Sequence, residues 1–335
     1  MERPEQGHLD WHHWTSKPNH CGSRLTPRIE KRLEGEKEIL LNPASTTSIT
    51  ICSLSHSDVW KLTSSLLPKF VTADHFKVYV PRTEVPQFEE ISPPEFTILS
   101  QESLASKYRD QLLRAVTNAG NMERFGWYLQ QFLKIEALLL SRTAHSFIWD
   151  ADCVPVAPIE LFNSSGEPIY MRGTEFHEPY FEAIQRLTGL ERVQQHSFVI
   201  PGFPIKTQWL REIVEEIEER HPGMTWAEAI IATTNFSLRS GFSETETLGT
   251  WVANNKGPLN LSVHPWERRG QSRFGFARTF SPLSVTEIGQ SHGLDIISFE
   301  NWDYGKRIPL SKKLRKAIRR VGRYLASVRI YGSSG

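Results

Sequence analysis

From Ser48 to Ser53 the chain reads Ser-Ile-Thr-Ile-Cys-Ser, a β-rich run ending in small polar residues, and it predicts the first strand. The period then changes. Val59, Leu62 and Leu66 fall at helical spacing within Asp58–Leu67, a helix that Pro68 is expected to close. His75–Val80 reads as a second strand stopped by Pro81, and Phe96–Leu99 as a third. Strand, helix and strand in that order predict parallel pairing in an α/β sheet.

Gly126–Leu140 is the strongest helix of the chain: good helix formers, no interior Pro or Gly, and a stripe at Leu129, Phe132, Leu133 and Leu140. Ser146–Trp149 follows as a buried central strand and runs into Asp150-Ala151-Asp152. Ligands collect at the carboxyl ends of strands in open α/β sheets, which is where these aspartates fall. Beyond them the pattern predicts a strand at Pro168–Arg172 and helices at Tyr180–Thr188, Gln208–Arg220, Trp226–Ile230 and Ser243–Ala253. Residues 1–45 carry no sustained apolar period apart from a short helix near Arg28–Leu40, so they read as an irregular extension. The expected division is therefore an extension at 1–45, one α/β domain at 46–305, and a basic amphipathic helix at 306–335. In that last segment Leu310, Leu314, Ile318, Val321 and Leu325 share a face.

Composition narrows the class. The 335 residues are 39% hydrophobic and 23% charged, which suits a globular chain, and no apolar run approaches the ~20 residues of a membrane span. The N-terminus shows no secretory signal, and Cys21, Cys52 and Cys153 are too scattered for a disulfide framework or a CxxC zinc site. These features predict a cytoplasmic protein. The net charge of +1 conceals ten Lys or Arg and no acid between Lys306 and Arg329, against a body with 29 basic and 38 acidic residues. The tail is thus a candidate for peripheral contact with anionic membrane at the inner face, or for packing on the acidic body. The body offers no basic or aromatic platform for nucleic acid.

Two carboxylates just past a buried strand are expensive to desolvate without a partner, and a divalent ion supplies one. Mg²⁺ and Mn²⁺ favour hard oxygen ligands and often bind through one or two carboxylates plus substrate phosphates. Asp-x-Asp alone is a weak signal, because an acidic turn or a helix cap also produces it.

The run GWYLQQFLKIEALLLSRTAHSFIWDADCVPVAP resembles a bacterial family of uncharacterised proteins read as GT-A glycosyltransferases, with a Gly-Trp-Tyr-x-Gln-Gln-x-x-Lys helix before a strand ending in Asp-x-Asp. Ser243-Glu244-Thr245-Glu246 is similar to that family's later Ser-Glu-x-Glu segment, and Gln195–Phe198 to its His-containing strand. The resemblance spans roughly Ile49 to Trp266. It implies a GT-A-like mixed, mostly parallel sheet flanked by helices, and transfer of a sugar from a nucleotide-diphosphate donor to a carbohydrate or lipid-linked hydroxyl acceptor, as in envelope or capsule polysaccharide synthesis. Mn²⁺ or Mg²⁺ is the implied cofactor.

On that reading Asp150 and Asp152 hold the metal and diphosphate, and His264 completes the metal shell. Lys134 reaches the donor phosphates, with Arg124 as a further phosphate residue, and Gln130 or Gln131 bonds donor hydroxyls. Ser53 and Asp58 hold the nucleoside, although Ser57-Asp58 also suits a helix start. Glu244 and Glu246 are the candidate general bases; one residue apart, they cannot share a helix face, and Glu244 is the one expected in the cleft. Trp266 is positioned to stack on a sugar and His196 to lie near the acceptor. Two rivals stand beside this reading. A sugar nucleotidyltransferase wants a Gly-rich basic loop after the first strand, which Ser53–Ser57 lacks. A non-catalytic carbohydrate- or partner-binding protein on a degenerate fold would bind its ligand without metal.

Overall fold

The computed structural model describes residues 42–303. The predicted helix at Arg28–Leu40, the early histidines His8, His12, His13 and His20, Cys21 and the basic tail lie outside them. Strand β1 (Asn42–Ile51) begins ahead of the expected boundary at 46. It is rich in Ser and Thr yet buried: Thr47, Ser48 and Thr50 are at most 1% exposed. A strand with sheet neighbours on both sides and cover on both faces has no solvent side, and here short hydroxyls share its interior with Ile49 and Ile51. Part of their polarity is satisfied across the sheet, where Thr143 Oγ1 donates to Thr47 Oγ1 at 2.9 Å.

Helix α1 (Ser57–Phe70) runs two residues past Pro68, which the sequence expected to end it. Pro68 sits in the last turn, where its missing N–H forfeits one bond, and the next turn still closes through Val71 N–H donating to Leu67 O. Strand β2 (His75–Val80), helix α2 (Val85–Ile91), strand β3 (Phe96–Ser100) and helix α3 (Arg109–Asn118) follow. Helix α4 (Phe125–Leu139) then turns back into β4 (Thr143–Trp149). Leu140, expected on the buried stripe, is 46% exposed because the helix has ended and it serves as the C-cap.

The next elements are β5 (Cys153–Pro155), β6 (Ile169–Met171), α5 (Glu178–Thr188), β7 (Gly202–Lys206), α6 (Thr207–Arg220) and α7 (Trp226–Thr233). Helix α8 (Glu244–Asn255), β8 (Asn260–Ser262), β9 (Trp266–Glu267), α9 (Pro282–His292) and β10 (Ile296–Ser298) complete the chain described. The main sheet has the order β3-β2-β1-β4-β7. Its first three pairings are parallel and β7 closes the edge antiparallel to β4, so the fold is α/β with a mixed, mostly parallel sheet flanked by helices. The sequence reading missed β7 because Pro204 interrupts it. At an edge the absent N–H costs no ladder bond, and Pro204 pairs opposite Phe147 without conflict. A smaller sheet, β5-β10-β9, sets Ser298 opposite Cys153. No helix among the described residues is long and apolar enough to cross a membrane.

Close approach at one glycine fixes the seat of α8. A Cβ on Gly249 would lie 2.1 Å from Phe198 Cγ, and Phe198 is fully buried. Gly249→Ala is therefore expected to destabilise the fold by roughly 1–3 kcal/mol through overpacking, although alanine favours helix more than glycine does. Urea denaturation would read this, and a stabilised variant would show that Phe198 has room to move.

Candidate functional site

The carboxyl ends of β1, β2, β3 and β4 open on one cavity of about 660 Å³, a size suited to a small-molecule ligand. Its long wall is α4. Arg124, Trp127, Gln130, Gln131 and Lys134 recur at intervals of three and four, which puts them on one helix face, and all five line the cavity. Both glutamines are thus present. Gln131 Oε1 accepts from Glu244 N–H at 3.3 Å, and Gln130 Nε2 donates to Ile51 O at 3.5 Å.

Asp150 and Asp152 enter the cavity from the turn after β4. The turn is held by Asp150 N–H donating to Pro201 O at 2.9 Å and Cys153 N–H donating to Asp150 O at 3.1 Å. Lys134 Nζ lies 2.8 Å from Asp150 Oδ1 and 2.7 Å from Glu244 Oε1. Its side chain is only 6% exposed and Glu244's is 3%, while Asp150's is 34% exposed, so a nearly dry Lys134–Glu244 pair meets a carboxylate that reaches into the cleft. Burial opposes the ammonium charge, but the two carboxylates outweigh it and hold Lys134 above the ordinary lysine range. Burial also raises Glu244, and Lys134 pulls it back. Asp152 makes no ion pair among the described residues. Burial raises its pKa, the charge of Asp150 raises it further, and His56 tempers both.

Of the two glutamates proposed as bases, only Glu244 borders the cavity, and it does so as the partner of Lys134. Glu246 turns the other way. Its Oε2 accepts from Ser197 Oγ at 2.7 Å and Phe198 N–H at 2.9 Å, and its own N–H donates to the N-cap Ser243 Oγ at 3.3 Å. The cause is helical geometry: side chains two positions apart point about 200° around the axis from each other.

Ser53 lines the cavity, whereas Asp58 is exposed in the first turn of α1, outside the lining. His264 is also outside it, with Nδ1 2.8 Å from Asp295 Oδ2. Neither His196, set edge-on against Phe198, nor Glu246 reaches the lining. Arg124 lines the cavity at the far end of α4. Ten residues along the helix set its Cα about 15 Å from that of Lys134.

Three charged residues of the lining escaped the sequence reading. Arg268 Nη1 meets Glu175 Oε2 at 2.8 Å, and its Nε lies 3.6 Å from Glu300 Oε1. Glu300 is brought beside Asp152 by the β5–β10 pairing, whose ladder continues through Phe299 N–H donating to Asp152 O at 2.8 Å. Burial, then Asp152, push the Glu300 pKa up to about 8, with Arg268 pulling it down. No local signal marked Glu300, because its neighbour is 148 positions away in the chain. Trp266, which was foreseen, lines the cavity with the Arg268 guanidinium 4.9 Å from its ring centre. Cys153 borders the cavity too, but burial and then Asp152 hold its thiol well above the usual range, which disfavours the nucleophilic thiolate.

A carboxyl raised in the native state favours folding most fully below its unfolded pKa, and that contribution is lost as pH rises through the folded value. Glu300→Gln is therefore expected to gain stability relative to the wild type between pH 5 and 8. Urea midpoints at several pH values measure this. Parallel curves for the two proteins would place Glu300 in the ordinary carboxylate range.

Among the described residues no three His, Cys, Asp or Glu side chains form a ready-made metal cage. The donor set at Asp150 and Asp152 is hard oxygen, however, and it fits an ion such as Mg²⁺ or Mn²⁺ that takes its other ligands from water and a substrate's phosphates.

Fold and site together define an α/β protein with an acidic cleft at its strand ends. The chain belongs to a family of unknown function, DUF6492, whose pattern matches residues 58–257. That span includes the α4 face, both aspartates and α8, while Arg268 and Glu300 fall beyond it. No curated protein matches the chain.

Proposed function

We propose that the protein is a metal-dependent glycosyltransferase with a GT-A-like fold, moving a sugar from a nucleotide-diphosphate donor to a hydroxyl acceptor. The observation that carries this reading is the pair Asp150 and Asp152, both facing one cleft at the carboxyl end of a central parallel strand. Five carboxylates line the cleft (Asp150, Asp152, Glu175, Glu244 and Glu300) against Arg124, Lys134 and Arg268 as cations. The excess of negative charge suits a divalent cation with a phosphate-bearing ligand better than a bare polyanion.

Mn²⁺ or Mg²⁺ bound between the aspartates would neutralise the departing diphosphate as a Lewis acid. Lys134 fixes the Asp150 carboxylate in place, and Glu244 anchors Lys134 from the other side. Ser53 at the end of β1 lies where the nucleoside would rest. With Glu244 engaged more closely by Lys134, the candidate proton acceptor for the incoming hydroxyl is Glu300, which lines the cleft beside Asp152 and, with a pKa pushed up to about 8, serves as a base in its ionised form above neutral pH.

Calorimetric titration with a panel of nucleotide diphosphates, with and without Mn²⁺, tests the reading. Binding of one nucleotide only in the presence of metal supports it. Binding of a sugar without nucleotide or metal would instead favour a carbohydrate-binding protein on the same fold.

A further inference from the structure

The three cations of the cleft are not equivalent. Lys134 is paired with Asp150 and Glu244, and Arg268 with Glu175 and Glu300. Arg124 has no carboxylate within ion-pair distance among the described residues; Glu123 beside it is exposed and makes no ion pair. The Arg124 guanidinium is nevertheless held in place. Its Nε donates to Arg239 O at 2.6 Å, its Nη2 lies 3.5 Å from Ser240 Oγ, and its Cζ sits over the Trp127 ring, 4.4 Å from the ring centre. Nη1 has no protein partner among the described residues. A second cation, Arg239, lies close enough that, after burial, its charge is the next cause lowering the Arg124 pKa. Two positive groups therefore stand together at this end, and the exposed Glu123 offsets them only in part.

The position is as informative as the charge. Helix α4 turns back into β4, and Lys134 meets Asp150 where β4 ends. The helix from Lys134 to Arg124 thus rises about 15 Å along the cleft wall toward its mouth. That Cα separation puts Arg124 at the opposite end of the α4 wall from the Lys134–Asp150 pair. Trp127, Tyr180 and Ser240 line the same end. The fixed guanidinium lies over the partly exposed Trp127 ring, so the part of the indole it leaves uncovered offers apolar surface for a pyranose ring next to a planar, charge-assisted donor for an acid group on it.

We propose that the mouth of the cleft is a subsite for an anionic saccharide, with Arg124 taking its carboxylate or phosphate and Trp127 packing against its ring. Resting on the transferase reading, this makes the acceptor an acidic sugar. The subsite itself requires only the geometry above.

The test uses the full chain without nucleotide or metal. Methyl glucuronide, glucose 6-phosphate, inorganic phosphate and the neutral methyl glucoside are titrated by ligand-observed NMR at low salt. An anionic sugar is expected to bind at least ~10-fold more tightly than the glucoside, the effect of one hydrogen bond to a charged group. Preference for the glucuronide or for the phosphate ester identifies the acid. Arg124→Gln should abolish the preference while leaving the far-UV circular dichroism of the unliganded protein and its weak binding of the neutral glucoside in place, which a collapse of the whole cleft would not. Equal binding of charged and neutral sugars by the wild type overturns the proposal, as does inorganic phosphate binding as tightly as the sugar phosphate. The wild-type comparison decides even where Arg124→Gln fails to fold. Anionic-sugar binding without any nucleotide binding would uphold the subsite and overturn the transferase.

Discussion

Lys134→Met is expected to destabilise the protein by about 3–5 kcal/mol, the usual cost of removing one member of a buried ion pair and leaving the other charged. The side chain is nearly fully buried, and its ammonium is the common partner of Asp150 and Glu244. Methionine fills a similar volume, so the loss is electrostatic rather than a cavity effect. Glu244, the more buried of the two carboxylates left behind, would then be driven toward its protonated form, while Asp150, a third exposed, keeps more of its water. Adding Glu244→Gln to Lys134→Met removes one stranded charge and should recover part of the loss. A double-mutant cycle in urea then gives a coupling energy well above the 0.5 kcal/mol expected of independent sites. Strict additivity would mean that the two side chains do not meet. Because Lys134 also fixes Asp150, the single variant should weaken metal-dependent nucleotide binding in proportion.

Asp152→Asn should leave the fold standing and remove the ligand response. Asp152 carries no ion pair among the described residues, and burial, then the charge of Asp150, disfavour its ionised form, so neutralising it is expected to be neutral or mildly stabilising in the unliganded protein. With nucleotide diphosphate and Mn²⁺ at 100-fold over Kd, the wild type should gain about 2.7 kcal/mol, and the variant should gain less than ~1 kcal/mol under the same conditions. Thermal melts of both proteins with and without ligand measure the difference. An undiminished shift in the variant would remove Asp152 from the site and, with it, the main support for the transferase reading. Loss of unliganded stability would instead identify Asp152 as structural.

The two substitutions separate neighbouring carboxylates that look alike in sequence. Asp150 is tied to the scaffold through Lys134, whereas Asp152 is held by its backbone, with its carbonyl accepting from Phe299 N–H. One aspartate is preorganised by a charge and the other by a strand pairing, a division of labour that suits a site whose ligand brings both a cation and an anion.

What the chain determined by itself was local. The His75–Val80 strand is found as predicted, and α1, α4 and α6 differ from their predicted limits by no more than three residues, because each pattern is complete within a few turns of sequence. The placing of Asp150 and Asp152 at a strand's carboxyl end was legible for the same reason, as was the separation of Glu244 from Glu246. Only the tertiary structure decided which partners those groups take. Lys134 and Glu244 meet across 110 positions, and Glu300 reaches the cleft because β10 pairs with β5. It likewise took α8's packing against Phe198 to give Glu246 a structural bond instead of a place in the cleft. Such contacts depend on where the topology returns the chain, and an exposed acid and a buried one carry the same letter. Local periodicity fixes which way a side chain faces; the charge that waits for it is set by a distant segment.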